Sequence, residues 1–290
     1  MFVIYRSRRK QTKKITKLVS AAVLLAGLAG CAGKENTSIT VISREEGSGT
    51  RSAFVELFEV LDENKNDNTT VRAEITNNTA VMLASVAGNK NAAGYVSLGS
   101  LNDTVKALKI DGFEASAAAI AGGDYKISRP FLIAVKDQLS PAAADFINFI
   151  LSAEGQEVVA GNGYLPVAGR EVPRSRLAPS TVRVAGSSSV SPLMEKLREA
   201  YIKKNPDIDI EIQQSDSSTG MNAVINGICD IGMASRELKS SESEKGISSI
   251  MIAVDGIAVI VNRENSLENL SRRQVGDIFS GKAGDWKELQ

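Results

Sequence analysis

Val182-Arg183-Val184-Ala185-Gly186-Ser187-Ser188-Ser189-Val190-Ser191-Pro192-Leu193-Met194 is the stretch on which the fold is read. Residues 182–185 form a short apolar strand, 186–191 a loop of glycine and serine, and 192–203 a helix opened by proline, which fits a first helical position. The same order recurs on both sides. A strand at 208–213 leads through the loop 215–220 into a helix at 221–228. Earlier, a strand at 40–42 leads through 47–50 into a helix at 51–61, with Phe54, Leu57, Phe58 and Leu61 on one face. A short helix at 80–86, a strand at 93–98 and a buried strand at 131–135 follow. Ser140-Pro141 supplies an N-cap and first helical residue for a helix through 153, with Phe146, Ile147, Phe149 and Ile150 on its core face. A strongly apolar strand covers 255–261, whereas 168–180 has turn formers without periodicity and is read as a linker. Alternating short strands and helices imply an α/β fold with mainly parallel sheets.

The chain has 290 residues, enough for two lobes with a sizeable core. Its formal charge of zero is unevenly spread. Residues 1–30 hold seven basic side chains (Arg6, Arg8, Arg9, Lys10, Lys13, Lys14, Lys17) and no acidic one. The remainder carries 27 basic against 34 acidic groups, which argues against nucleic acid as a partner. Histidine is absent, which removes Ser-His-Asp and Cys-His catalysis and most transition-metal sites. An enzyme is therefore not expected, and neither is a metal or other cofactor. The two cysteines are Cys31 and Cys229; Cys229, inside the apolar 226–231 stretch, is read as a buried structural thiol.

The basic start is followed by an apolar run at 18–30, about 13 residues long and short of the ~20 that a membrane-spanning helix needs. It has the form of a signal-peptide core. It ends in Leu28-Ala29-Gly30-Cys31, which resembles the lipobox of bacterial lipoproteins, followed by a polar tail. Residues 1–30 are thus read as a signal peptide, Cys31 as the lipidated residue and 31–37 as a tether. The rest would lie on the outer face of the cytoplasmic membrane.

Three loops share a composition: Ser43-Arg44-Glu45-Glu46-Gly47-Ser48-Gly49-Thr50-Arg51, residues 185–191, and Gln214-Ser215-Asp216-Ser217-Ser218-Thr219-Gly220. Each follows a strand and opens a helix, where unpaired N–H groups and the positive end of the helix dipole favour an anion. Taken singly, such a loop serves simply to cap its helix. Three in one chain, one of them with arginine at both ends, point to an anion site built from N–H, hydroxyl and guanidinium donors. The spacing is not that of a nucleotide P-loop.

These segments, together with Cys229-Asp230-Ile231-Gly232-Met233-Ala234-Ser235-Arg236, residues 255–262 and residues 274–286, resemble the periplasmic phosphate-binding proteins that serve high-affinity phosphate ABC transporters. The likeness covers nearly all of 38–290, but the Ser43 block precedes the Gly186 block instead of following it, which is read as a circular permutation, with a truncated tandem duplication as the alternative. The resemblance implies a two-lobed, type II periplasmic-binding-protein fold with the ligand in the cleft. One lobe would comprise 36–125 plus 266–290 and the other 126–265, with 131–135 and 255–261 as the crossovers. It further implies that Ser189 and Val190 offer hydroxyl and N–H, and Ser217 a hydroxyl. Arg44 would be the cationic partner, while Ser48, Gly49 and Thr50 wrap the remaining oxygens. Arg236 stands where many relatives carry an aspartate that accepts the phosphate proton, which leaves phosphate against another oxyanion (sulfate, molybdate, phosphonate) open; Asp216 and Glu46 are the candidate substitutes. The implied function is capture of inorganic phosphate by a monomer that docks on ABC-transporter permease subunits. A surface sensor or adhesin of the same fold is the alternative.

Overall fold

The computed structural model describes residues 37–169 and 178–289. The expected signal peptide, Cys31, most of the tether and the middle of the 168–180 linker lie outside those residues. Among the described residues no helix is long and apolar enough to cross a membrane.

The first part of the chain forms β1 (Thr40–Arg44), α1 (Gly49–Leu57), β2 (Glu74–Thr76), α2 (Thr79–Gly88) and β3 (Ala92–Ser97). Short strands β4 (Val105–Ala107) and β5 (Lys109–Ile110) and helix α3 (Ala117–Ala121) follow. The chain then runs through β6 (Ser128–Lys136), α4 (Pro141–Ile150), α5 (Ala153–Gly161) and β7 (Leu165–Pro166). Next come β8 (Ser180–Ser187), α6 (Ser191–Ile202), β9 (Ile208–Ser215), α7 (Ser217–Ile225), β10 (Ile231–Ala234) and α8 (Ser240–Ser243). Strand β11 (Ile247–Asn262), β12 (Asn269–Leu270) and α9 (Arg272–Phe279) complete the described elements.

The main sheet has the order β2-β1-β3-β11-β6-β10-β8-β9, with β4 and β7 both paired to β11. The order is a repeat in reverse. β2-β1-β3 and β9-β8-β10 are parallel trios, each with its first strand in the middle. Each trio's strands are joined by helices, as parallel connections require. Between the trios lie β11 and β6, antiparallel to each other over Ile247–Gly256 and Ser128–Lys136. Beyond that point β11 pairs with β3 over Ile257–Val261. The sheet is therefore parallel within each half and antiparallel where the chain passes between halves.

Two large apolar cores correspond to the two halves. One gathers Val41, Phe54, Phe58, Tyr95, Tyr125 and Ile127 with Ile257, Val259, Val261, Phe279 and Trp286. The other gathers Phe131, Ile133 and Phe146 with Val182, Val184, Leu193, Tyr201, Met233 and Ile252. The chain changes core between Ile127 and Phe131 and again between Ala253 and Ile257. Residues 257–261, grouped with the second lobe from sequence alone, thus line the first core. In that core Phe54 stacks on Tyr95 with ring centroids 4.0 Å apart and meets Phe279 edge-on at 4.5 Å. Removing such a ring costs about 3–5 kcal/mol. The ends of the described chain meet here: Ser38 bridges Asp285, and Ile39 N–H donates to the Gly284 carbonyl at 2.9 Å.

The helix expected over 51–61 runs instead over Gly49–Leu57, and two further boundaries differ from the sequence reading for local reasons. The helix expected through 153 stops at Ile150. Ser152 Oγ donates to the Phe149 carbonyl at 2.6 Å and accepts from Gly155 N–H, so α5 starts with its own cap. The helix expected at 221 begins instead at Ser217, because the Asp216 carboxylate accepts from Thr219 N–H at 2.9 Å. The serines read as loop are therefore the first turn of α7.

Candidate functional site

The loops that leave the carboxyl ends of the two parallel trios face one another, the place where open α/β sheets bind ligands. From the first trio, β1 ends in Arg44, and Ser48 caps α1 through Arg51 N–H at 3.3 Å. Arg44 is 3% exposed. Its Nε and Nη2 fork onto Glu45 at 2.7 and 2.6 Å, and Nη2 also donates to Ser188 Oγ, on the opposite trio, at 3.1 Å. Its backbone N–H donates to Tyr95 Oη at 3.1 Å, and Tyr95 Oη lies 2.8 Å from Ser43 Oγ. Burial pushes the Tyr95 phenol up, against opposing contacts from Ser43 and Arg44, so it serves as a neutral hydrogen-bonding group. Arg51 is turned away, onto the Arg44 carbonyl and Asp67.

From the second trio, β8 delivers Ser187, Ser188, Ser189 and Val190, all buried, to the start of α6. That helix has no side-chain cap; the Val190 N–H at its cap position donates to the Ser187 carbonyl at 3.0 Å, and Pro192 carries no N–H. Gly186 at the end of β8 has φ +132°, and an added Cβ would strike the Met233 backbone. Ser217, 1% exposed, accepts Ser235 N–H at 3.2 Å and so keeps its own hydrogen to donate. Ser187 Oγ lies 3.0 Å from Ser235 Oγ.

The halves touch at several points. Thr50 Oγ1 and Ser189 Oγ are 2.7 Å apart, and Ser218 N–H donates to the Gly47 carbonyl at 3.2 Å. A Cβ on Gly49 would collide with Ser217 Oγ and Ser235 Oγ, so only glycine lets α1 approach this closely. Hence Arg44, Gly49 and Thr50 of one half meet Ser188, Ser189 and Ser217 of the other, all of them buried, with Ser48 and Val190 next to them in sequence.

Arg236 enters from the end of β10. Its Nη1 and Nη2 fork onto Glu242 at 2.9 and 2.7 Å, and Nη2 reaches Ser218 Oγ at 3.2 Å. Its Nε is buried without a hydrogen-bond partner among the described residues. Burial would raise the Glu242 carboxyl, but Arg236 and the Lys239 N–H outweigh it and hold it below the usual range. Neither substitute acceptor is both buried and unengaged. Both Asp216 oxygens are engaged by Thr219, and Glu46 is exposed. The arrangement is rich in donors, which suits an anion.

Sequence reasoning missed two parts of this site. Thr79 at the start of α2 places Oγ1 3.3 Å from Ser188 Oγ, making 76–79 the first-trio counterpart of 215–217. Its signal was present: Thr76-Asn77-Asn78-Thr79 before an apolar helix is an N-cap pattern. The other is a buried pair on the crossing strands, Arg129 and Asp255, joined at 3.0 Å. Burial lowers the Arg129 guanidinium while Asp255 opposes this; burial likewise pushes Asp255 up to about 6 against the pull of Arg129. No motif marks Arg129, and Asp255 opens the 255–262 segment of the resemblance without a role attached to it.

The model for the PBP superfamily domain matches residues 9–154 and 173–290, so the chain belongs to that superfamily of two-lobed binding proteins. It is 49% identical over 290 residues to phosphate-binding protein PstS 2 of Streptococcus agalactiae serotype V, covering 97% of this chain and 99% of that one. Against phosphate-binding protein PstS 2 of Streptococcus pneumoniae serotype 4 it is 43% identical over 289 residues, covering 96% and 99%. The crystal structure of a phosphate ABC transporter's phosphate-binding protein from S. pneumoniae TIGR4 superimposes with a TM-score of 0.68 at 45% identity, covering 87% of this chain and 100% of that one. Within the superfamily, the chain belongs to the PstS family of phosphate-binding proteins.

Proposed function

We propose that this protein captures inorganic phosphate outside the cytoplasmic membrane and delivers it to the permease subunits of a phosphate ABC transporter. The observation that carries this reading is the buried Arg44, joined to Ser188 of the opposite half and surrounded by hydroxyls from both halves. Arg44 supplies the full positive charge. Ser48, Thr50, Ser189 and Ser217 donate hydroxyls, while Gly49 brings a backbone N–H at the start of α1 and Val190 one at the start of α6 that the ligand shares with the Ser187 carbonyl. Arg236 adds its Nε. The lobes close over the ligand by turning about the two crossings, and the closed monomer is the form that docks. We assign residues 38–127 and 257–289 to the first lobe and place the return crossing near Gly256, in accord with the cores.

The permuted order is supported by the meeting of Ser38 with Asp285 and by one parallel trio per lobe. Lipid attachment at Cys31 rests on the 1–31 sequence; incorporation of labelled palmitate, abolished by Cys31→Ser, tests it. For the main function, calorimetric titration with phosphate is expected to give binding at micromolar concentration or tighter. Absence of heat with phosphate would overturn the reading.

A second reading, another tetrahedral oxyanion, is favoured by one observation: every carboxylate that lines the contact between the lobes is already engaged as an acceptor. A protonated anion gains from a free acceptor and sulfate is repelled by one. Titration with sulfate beside phosphate decides between them.

A further inference from the structure

Arg129 and Asp255 sit where both long strands pass between the cores, 3% and 1% exposed. Arg129 Nε and Nη2 donate to Asp255 Oδ2 at 3.2 and 3.0 Å. The other carboxylate oxygen accepts from Ser97 Oγ, at the end of β3, at 2.8 Å. Stability alone is a poor account of such a pair, because two charges lose their hydration on burial and apolar replacements of like volume are often as stable. Its third contact is more informative. Arg129 Nη1 donates to the Ser235 carbonyl at 3.3 Å. That carbonyl belongs to the peptide leading into Arg236, and the N–H of the same Ser235 donates to Ser217 Oγ at 3.2 Å. Ser235 Oγ in turn accepts from Ser187. One guanidinium thus fixes the backbone that orients Ser217, Ser187 and Arg236. Burial lowers the Arg129 guanidinium and Asp255 opposes this, with Arg44 adding a smaller push in the same direction as burial.

We propose that Arg129, held by Asp255, which Ser97 holds in turn, is a positioning residue of the oxyanion site: it sets the Ser235–Arg236 peptide that orients Ser217, Ser187 and Arg236. The inference rests on the phosphate-binding reading and extends it to a residue outside the cleft loops.

The test uses Arg129→Gln/Asp255→Asn, which removes both charges together, and Arg129→Met/Asp255→Leu, which keeps apolar packing should the first not fold. Each is titrated with inorganic phosphate, its thermal unfolding is recorded without ligand, and the phosphorus NMR shift of bound phosphate is measured. The expected result is a Kd raised at least tenfold in a variant that unfolds near the wild-type temperature, with a displaced phosphorus resonance. Arg129→Lys, which keeps the charge but cannot span Asp255 and Ser235 together, is expected to recover part of the affinity. A folded double variant with wild-type Kd and an unmoved resonance would overturn the inference. Wild-type protein that fails to bind phosphate would instead overturn the function it rests on.

Discussion

The two halves of the molecule share a strand order and a loop plan, yet they equip the site differently. In the first, Ser48 closes the start of α1 with its own side chain, and the distinctive contribution is the charge of Arg44. In the second, α6 begins without a side-chain cap, and the contribution is a row of neutral donors from Ser187 to Val190 and from Ser217. Both cations are paired with a carboxylate, Arg44 with Glu45 and Arg236 with Glu242, but Arg44 also reaches a hydroxyl of the opposite half, Ser188, whereas Arg236 reaches Ser218 of its own half. One half supplies charge and the other supplies geometry. A full charge beside a tetrahedral anion dominates affinity, while dipoles placed around it dominate fit.

The largest effect should follow from removing the charge. Arg44→Ala is expected to raise the phosphate Kd by about a hundredfold, roughly 3 kcal/mol, in a calorimetric titration; a loss below tenfold would mean that charge is shared evenly between the halves. Glycine substitutions separate closure from folding. Gly186→Ala, at φ +132° against the Met233 backbone, is expected to destabilise the protein by about 2 kcal/mol, read by urea unfolding. Gly49→Ala should leave unfolding of the free protein little changed and weaken phosphate binding by roughly tenfold, about 1.4 kcal/mol, because its Cβ strikes only the opposite half. Next come the hydroxyls: Thr50→Ala and Ser189→Ala should each weaken binding about fivefold, roughly 1 kcal/mol. The double variant should fall short of the sum, since the two hydroxyls contact each other.

The smallest effect is a pH dependence. The folded protein holds Glu242 below its ordinary value, so that carboxylate contributes stability above the usual glutamate range and loses it as pH falls through the lowered value. The melting difference between wild type and Glu242→Gln should be widest at neutral pH and narrow in acid. A difference independent of pH would remove Glu242 as the group that holds Arg236.

Much of this site was legible in the sequence because helix starts announce themselves. Serine, glycine and aspartate between an apolar strand and an apolar helix have a local meaning, and that meaning also makes an anion site. Ser189, Ser217, Ser48 and Thr50 were accessible for this reason. Arg44 was accessible because it stands next to such a loop. Asp216 shows the limit: its capping bond moves the helix start forward by four residues, a choice the apolar pattern of 221–228 does not encode. Arg129 and Asp255 lay further out of reach. Their partnership joins residues 126 apart through a crossing of strands, and although Asp255 opens the 255–262 segment, nothing in sequence betrays its pairing with Arg129. The split of β11 between cores was hidden likewise, since a strand buried throughout reads the same whichever core it lines.

The meeting of Ser38 with Asp285 has a consequence for how the chain acquires its shape. The second core draws on one unbroken segment, 131–253, whereas the first needs both 41–127 and 257–286. Phe54 and Tyr95 emerge early in synthesis or export but wait for Phe279, nearly the last aromatic residue, before their ring cluster is complete. The second half should therefore reach its fold while the first is still an open, apolar-rich precursor, and refolding should show two phases. Deleting α9 would leave hydrogen-exchange protection in 131–253 and erase it in 41–127.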